Sequence, residues 1–379
     1  MLFQLLASGL MAALLPLAMV WVSRDTDKYR KLIWVTAFVT FDVIMFGAFT
    51  RLTDSGLGCP DWPGCYNEAN PFLAHEAIRA AETLMPTGPV TLVKAWIEMI
   101  HRYLAMGIGF LIMAIMAQSW RNWLAGKRTQ AAFSPVLPTY LFFHVCLLGA
   151  FGAWTVTMKL QPIIVTTHLL LAMAMLAVLV WLGCRVAVQG SGAGVYAPGM
   201  PLADPVAGAG KAADRSLRVA AALAFVLVFI QIALGGWTST NYAALACSDF
   251  PLCGGKVIPE MDFEHGFTLW RELGKTAAGH YLPFAALTAI HWVHRNFAFV
   301  VALFVSWAAY SAMRTPGLQR NGRWLLGMLL VQIATGVSTI FLQWPLALAV
   351  LHNGGAAVLV FLLAMLNYRA SLASQPTAP

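Results

Sequence analysis

The sequence predicts an all-α integral membrane protein made of two parallel four-helix-bundle repeats, eight core transmembrane helices preceded by an extra N-terminal one. Three observations carry that reading: composition, a train of long apolar runs, and an internal duplication. Of 379 residues, 59% are hydrophobic and 11% charged, against about 25% charged in soluble domains. A hydrocarbon core of roughly 30 Å takes about 20 apolar residues to cross. Runs of that length fall near 1–22, 32–50, 96–118, 136–158, 162–184, 217–237, 284–311, 324–342 and 345–367.

The first run has neither a basic n-region nor an Ala-x-Ala cleavage site, so it reads as an uncleaved helix rather than a signal peptide. Next comes the duplication. Gly47 to Cys65 and Gly235 to Cys253 align without a gap, matching Gly, Thr, Leu, Cys, Asp, Pro and Cys. Each copy is followed by a long polar loop, an apolar run opened by a hexad ending His-Arg, and a helix pair joined by a tight turn, at 159–162 and 343–345. Four helices per copy bring both copies into the membrane in one orientation, so the repeats are parallel, related by an axis along the membrane normal. The expected division is an N-terminal segment at 1–30, a first repeat at 31–188, a linker at 189–215, a second repeat at 216–368 and a tail at 369–379. The linker is rich in Gly, Ala and Pro and reads as flexible.

Basic residues fix the expected orientation, because Lys and Arg stay on the cytoplasmic side. Arg24, Lys28, Arg30, Lys31, Arg121, Lys127, Arg128, Arg185, Lys211, Arg215, Arg218, Arg314, Arg320, Arg323 and Arg369 share one side. The two long loops then face outward. A net charge of +8 reads as attraction to anionic lipid and not as nucleic-acid binding. Cys59 with Cys65, and Cys247 with Cys253, bracket five residues each in those outer loops, where disulfides form. Each pair is expected to close a short loop that pins the loop structurally, a thiol redox role of the first pair being the alternative. Cys146 and Cys184 fall inside helices as small core hydrophobes.

Intramembrane polar residues carry the function. His101 and His168 in the first repeat, and His294 and His352 in the second, each lie about six to eleven residues into an inward-running helix, roughly 9 to 16 Å below its outer end. One such His reads equally well as an interhelix hydrogen bond; four at matched depth, two per repeat, read as ligand pairs. Two imidazoles under-supply a zinc or di-iron centre. They suit haem, which brings four nitrogens of its own, and one haem per repeat is the economical reading. Arg102 and Arg295 are candidates to neutralise haem propionates or to snorkel to the interface.

The repeats differ where the first has Glu98 and the second His291. Glu98, three residues before His101 and on the same face, is the candidate catalytic residue, its alternative being a partner for Arg102. Asp42 reads as a cross-helix hydrogen bond, its alternative being a member of the same site, and His144, His75, His265 and His280 read as structural.

The string from Thr50 to Pro63, TRLTDSGLGCPDWP, with Glu98-x-x-His101-Arg102, His168, His294-Arg295 and His352, resembles the bacterial haem A synthase family over about residues 32–368. The resemblance does not cover 1–22. It implies oxidation of the C8 methyl of haem O to a formyl group, giving haem A for terminal cytochrome oxidases. By similarity, His101 and His168 would hold substrate haem O, His294 and His352 a haem b cofactor, and Glu98 would be the acid of the substrate site. A bacterial inner-membrane location with periplasmic loops follows from the same resemblance. Either water or dioxygen would supply the oxygen. Two rivals use the same histidines, a bis-haem electron-transfer cytochrome and a haem transporter, neither performing group chemistry. An electron donor, the farnesylating haem O synthase as a handover partner, membrane lipid and a second copy of the chain are the expected partners.

Overall fold

The computed structural model describes residues 1–126, 133–190 and 215–372, without side chains at 189 and 190. Most of the expected linker and tail lie outside these residues, as do Lys127, Arg128 and Lys211. The described residues form eleven helices and no strand: α1 Leu2–Val22, α2 Lys28–Leu52, α3 His75–Leu84, α4 Leu92–Leu124, α5 Val136–Thr157, α6 Pro162–Gly190, α7 Arg215–Thr240, α8 Phe263–Phe267, α9 Phe284–Arg314, α10 Gln319–Phe341 and α11 Leu346–Leu372. Among them nine are long and apolar enough to cross a membrane, α1 included. This is an all-α integral membrane protein. Two helices were not legible as spans, α3 and α8, which are too short to cross a membrane and lie in the long loops.

Local chemistry sets the helix ends. Asp27 caps α2 by accepting the Arg30 N–H, and Thr91 caps α4 by accepting the Lys94 N–H, satisfying donors that a first turn leaves orphaned. α6 opens on Pro162, whose missing N–H costs nothing at a first helical position. Four helices stop the same way: the N–H of Ser55, Leu160, Ala243 and Trp344 each reaches back five residues to the carbonyl of Thr50, Thr155, Thr238 and Thr339. This closure needs a left-handed residue, and here Asp54, Lys159 and Leu160, Tyr242, and Gln343 and Trp344 adopt positive φ. No glycine marks these stops.

Packing makes two closed squares. α2, α4, α5 and α6 each touch the next and α6 returns to α2; α7, α9, α10 and α11 do the same. The squares meet through α2, α6, α7 and α11, as a two-fold relation along the bundle requires. A continuous core of Ile33, Leu111, Leu176, Leu179, Val305 and Leu363 runs through both. α1 stands outside this symmetry, packed on α4 and α2. Its approach to α4 is close: a Cβ on Gly107 would come within 3.1 Å of Ala12.

On the face that carries both cysteine loops, the halves are clasped by one group of residues. Arg51 donates to the Ser239 carbonyl (2.7 Å) and lies 4.3 Å over the Tyr242 ring, while the Tyr242 hydroxyl donates to Asp54 (2.6 Å). Asp54 and Tyr242 are equivalent positions of the duplication.

Candidate functional site

The four histidines occupy four equivalent niches. Each sits on one helix of an antiparallel pair and faces a glycine on the other. A Cβ on Gly47 would stand 2.9 Å from Cε1 of His101; on Gly152, 3.2 Å from His168; on Gly235, 3.0 Å from His294; on Gly336, 3.0 Å from His352. An ordinary side chain would displace each ring, so the glycines leave the imidazoles room to turn inward. His101 and His168 lie within electrostatic reach of each other, as do His294 and His352. The structure thus brings the expected residues together as two pairs, one in each square.

Their hydrogen bonds differ. Nδ1 of His168 meets the Leu148 carbonyl at 3.1 Å, the contact that fixes a tautomer with Nε2 free for a metal. Nδ1 of His101 is buried without a partner among the described residues, and its ring stacks on Phe46. In the second half, an amide side chain attends each ring. Gln231 contacts His294 Nδ1 (3.2 Å) and donates to the His294 carbonyl (3.0 Å). Gln332 contacts His352 Nε2 (3.3 Å) and donates to the His352 carbonyl (2.9 Å), with Thr335 Oγ1 at 3.0 Å from Nδ1.

Above each pair the cysteine loop is anchored by one design. Cys59 and Cys65 stand at disulfide distance, 2.08 Å, as do Cys247 and Cys253, 2.00 Å. Asp61 accepts from the N–H of Tyr66 and Asn67, and Asp249 from those of Gly254 and Gly255. Arg102 donates to the Asp61, Pro63 and Gly64 carbonyls, and Arg295 to those of Pro251 and Leu252. Both arginines therefore reach back into the loop. Arg295 still keeps a buried Nη1 without a partner among the described residues.

Glu98 is 4% exposed. Oε2 accepts the Cys59 N–H at 2.8 Å and Oε1 takes the Arg102 guanidinium at 2.5 Å. The pairing with Arg102 is thus formed. His291 does the equivalent work in the second half, its Nδ1 accepting the Cys247 N–H at 3.1 Å. The halves differ here in charge, while the contact to the loop is shared.

Of the other intramembrane groups, His144 meets the Leu171 carbonyl at 2.8 Å and the Tyr140 hydroxyl, a structural role as expected. Asp42 is exposed on α2 and, among the described residues, has no hydrogen-bond partner; the expected cross-helix bond is not made. Sequence reasoning missed Gln231, Gln332 and the four glycines. The signal of the glutamines and of two of the glycines was legible as a repeated string, Gln231-Ile-Ala-Leu-Gly235 and Gln332-Ile-Ala-Thr-Gly336, which places the amide and the niche glycine one turn apart.

A haem fits this arrangement. Among the described residues no group of three or more His, Cys, Asp or Glu is placed to hold a metal ion, whereas each pair offers two neutral donors to a group carrying its own equatorial ligands. The orphaned His101 Nδ1 and Arg295 Nη1 are buried polar atoms of the kind that a bound anionic macrocycle accounts for.

Comparison with known proteins agrees. A family model described as cytochrome oxidase assembly protein, COX15-CtaA, matches residues 30–364. A protein of Shewanella oneidensis named heme A synthase is 36% identical over 341 residues, covering 89% of this chain and 95% of that one. Proteins of the same name from Mesorhizobium japonicum and Caulobacter sp. are each 28% identical, covering 90% and 86% of this chain and 91% and 92% of their own. The family model begins at residue 30, beyond α1. The chain belongs to the COX15-CtaA cytochrome oxidase assembly family.

Proposed function

We propose that this chain is a haem A synthase, an oxidoreductase that converts the C8 methyl of haem O to a formyl group. The observation that supports it best is the pair of duplicated imidazole niches in which one half carries a carboxylate, Glu98, and the other a neutral His291. Haem O is the substrate, held in the first half by His101 and His168. A haem b is the resident cofactor of the second half, held by His294 and His352, and supplies one-electron transfer. Arg102 and Arg295 lie on the propionate side, Arg295 with an unspent N–H.

Glu98 is the acid of the substrate site. Its two oxygens are held by Arg102 and the Cys59 N–H, which fix the carboxyl group one turn from His101, where it can take a proton leaving the oxidised carbon. Apolar helix walls exclude water from the remainder. An electron carrier or transporter leaves the Glu98 and His291 difference without a task, and both are disfavoured on that ground.

The basic helix ends, Arg24 to Lys31, Arg121, Arg218 and Arg320 among them, support a reading with the linker face in the cytoplasm and the cysteine loops in the periplasm of a bacterial inner membrane. The insolubility of haem O favours handover from the farnesylating enzyme, and a separate donor supplies the electrons that a dioxygen-dependent route consumes, an acceptor taking them instead if water supplies the oxygen; a second copy of the chain is a further candidate partner.

Extracting the pigments of cells with and without this chain tests the proposal. Haem A appears only with the chain; its appearance without it, or unchanged haem O with it, refutes the activity. Labelled water set against labelled dioxygen, read in the hydroxylated intermediate, assigns the oxygen source.

A further inference from the structure

The two histidines of the first half are held differently. Each faces a niche glycine, and four residues before each glycine stands a backbone carbonyl, that of Val43 before Gly47 and that of Leu148 before Gly152. His168 uses the one it faces, Nδ1 meeting the Leu148 carbonyl at 3.1 Å. His101 makes no equivalent contact. Neither of its ring nitrogens has a hydrogen-bond partner among the described residues, and Nδ1 is buried. Ring orientation accounts for the difference. A Cβ on Gly152 would lie 3.2 Å from Cε1 and 3.8 Å from Nδ1 of His168, whereas on Gly47 it would lie 2.9 Å from Cε1, 3.5 Å from Nε2 and 3.7 Å from Nδ1 of His101. His101 thus turns its other edge to the glycine, with its ring nearly parallel to Phe46. In the second half Gln231 Nε2 stands 3.2 Å from Nδ1 of His294, and Thr335 Oγ1 3.0 Å from Nδ1 of His352. Among the described residues, His101 alone of the four lacks a polar neighbour at Nδ1.

A neutral imidazole carries one proton. When one nitrogen gives its lone pair to a metal the proton stays on the other, and an acceptor there satisfies the N–H and makes the ring a stronger donor. His168 has that acceptor. For His101 either choice leaves the N–H without one: ligation through Nε2 puts it at Nδ1, and ligation through Nδ1 puts it at Nε2. A donor left unmade inside the bundle is costly enough to weaken the bond about tenfold or more relative to that of His168. Phe46 gives the released ring a flat surface to rest on.

We propose that His168 is the retained axial ligand of the first-half haem and His101 the exchangeable one, so that the iron face toward α4 opens while the haem stays held from α6. The bond that breaks returns its electron pair to the His101 imidazole. A small neutral donor, water or a diatomic gas, supplies the replacing pair, and the iron keeps its oxidation state. Glu98 precedes His101 by one turn of α4, so the face that opens is on the helix that carries the carboxyl group.

This rests on the assignment of haem O to His101 and His168, and the test separates the two claims. Full-length protein with its second-half haem in place is prepared as wild type, His101→Gly, His168→Gly and the double variant. Each is loaded with haem O under anaerobic conditions, with and without added imidazole. The low-spin spectrum of the second-half haem shows that a variant is folded; should a glycine variant lack it, the alanine variant at the same position takes its place. Two quantities are read: the rate of haem O loss to excess apomyoglobin, and the rate at which the ferrous protein takes up carbon monoxide.

His101→Gly should hold haem O as wild type does, within a few-fold, and take up carbon monoxide about tenfold faster, because no ligand has to leave first. Added imidazole should restore the slower uptake. His168→Gly should lose haem O about tenfold faster than wild type, and imidazole should restore retention. Equal loss in both single variants, the reverse order of loss, or uptake by His101→Gly no faster than wild type overturns the proposal. If the double variant holds haem O as wild type does, the assignment of the first-half site itself falls, and the proposal with it.

Discussion

The two halves share a square of four helices, a cysteine loop pinned by an aspartate and an arginine, and an imidazole pair facing two glycines. What differs is a handful of equivalent positions. The first half has Glu98, Val43 and Leu148 where the second has His291, Gln231 and Gln332, and the first half alone is flanked by α1. The lesson is that the scaffold brings a ligand pair to one depth twice over, while the task of each pair is set by the few polar groups around it. Duplicated bundles are tuned by substitution next to the ligands.

The largest effect that sharpens this contrast is expected at Glu98. Glu98→Gln keeps an acceptor for the Cys59 N–H and removes the negative charge, and conversion of haem O should fall about 100-fold or more with haem content unchanged. His291→Gln, its counterpart, should leave conversion within a few-fold. Chromatographic separation of haem O and haem A in both variants checks the pair of outcomes, and an equal loss in both would erase the functional distinction between the halves.

Next come the niche glycines. Gly235→Leu places a side chain where a Cβ already stands 3.0 Å from the His294 ring, so most of the low-spin haem signal of the purified protein should vanish. The same change at Gly47 should spare that signal and abolish conversion. Gly109, whose Cβ would meet nothing within 4 Å, is the control, and its Ala variant should behave as wild type in both assays.

Much of this was legible in advance, for physical reasons that differ from residue to residue. An apolar run long enough to cross a bilayer has few other fates, so all nine long helices were readable. The four histidines stood out because polar groups in hydrocarbon need a reason to be there. The turns at 159–162 and 343–345 were readable as positions, yet the left-handed residues at Leu160 and Trp344 carry no glycine to announce them. The grip of Glu98 on the loop was hidden because its partner N–H, on Cys59, lies 39 residues away. The role of Gln231 was hidden for a similar reason: it meets a ring 63 residues along the chain, and the string it shares with Gln332 does not name that partner.

A smaller effect is expected from the loops. Replacing Cys247 and Cys253 with Ser frees a loop whose closure is worth about 2 kcal/mol by chain entropy, so thermal unfolding should occur at lower temperature, and the same should follow for Cys59 and Cys65. A difference between the pairs in conversion, beyond their common loss of stability, would point to redox use of the first pair.

The smallest is an acid limb. The N–H groups of Gly255 and Gly254 hold the Asp249 carboxyl below its ordinary value of 3.8. A depressed carboxylate stabilises the folded loop above that ordinary value and loses its contribution as pH falls through the lower, folded one. Asp249→Asn should therefore flatten the dependence of thermal stability on pH below about 4, leaving the neutral range unchanged.

The most direct test of the division of labour is haem analysis of two double variants of the full-length protein, one lacking His101 and His168, the other lacking His294 and His352. With alanine at the first pair, the protein should retain its low-spin haem b while converting no haem O. With alanine at the second pair, it should be purified without haem b. If both double variants lose haem b alike, or if the first pair proves dispensable for making haem A, the two halves do not have separate tasks.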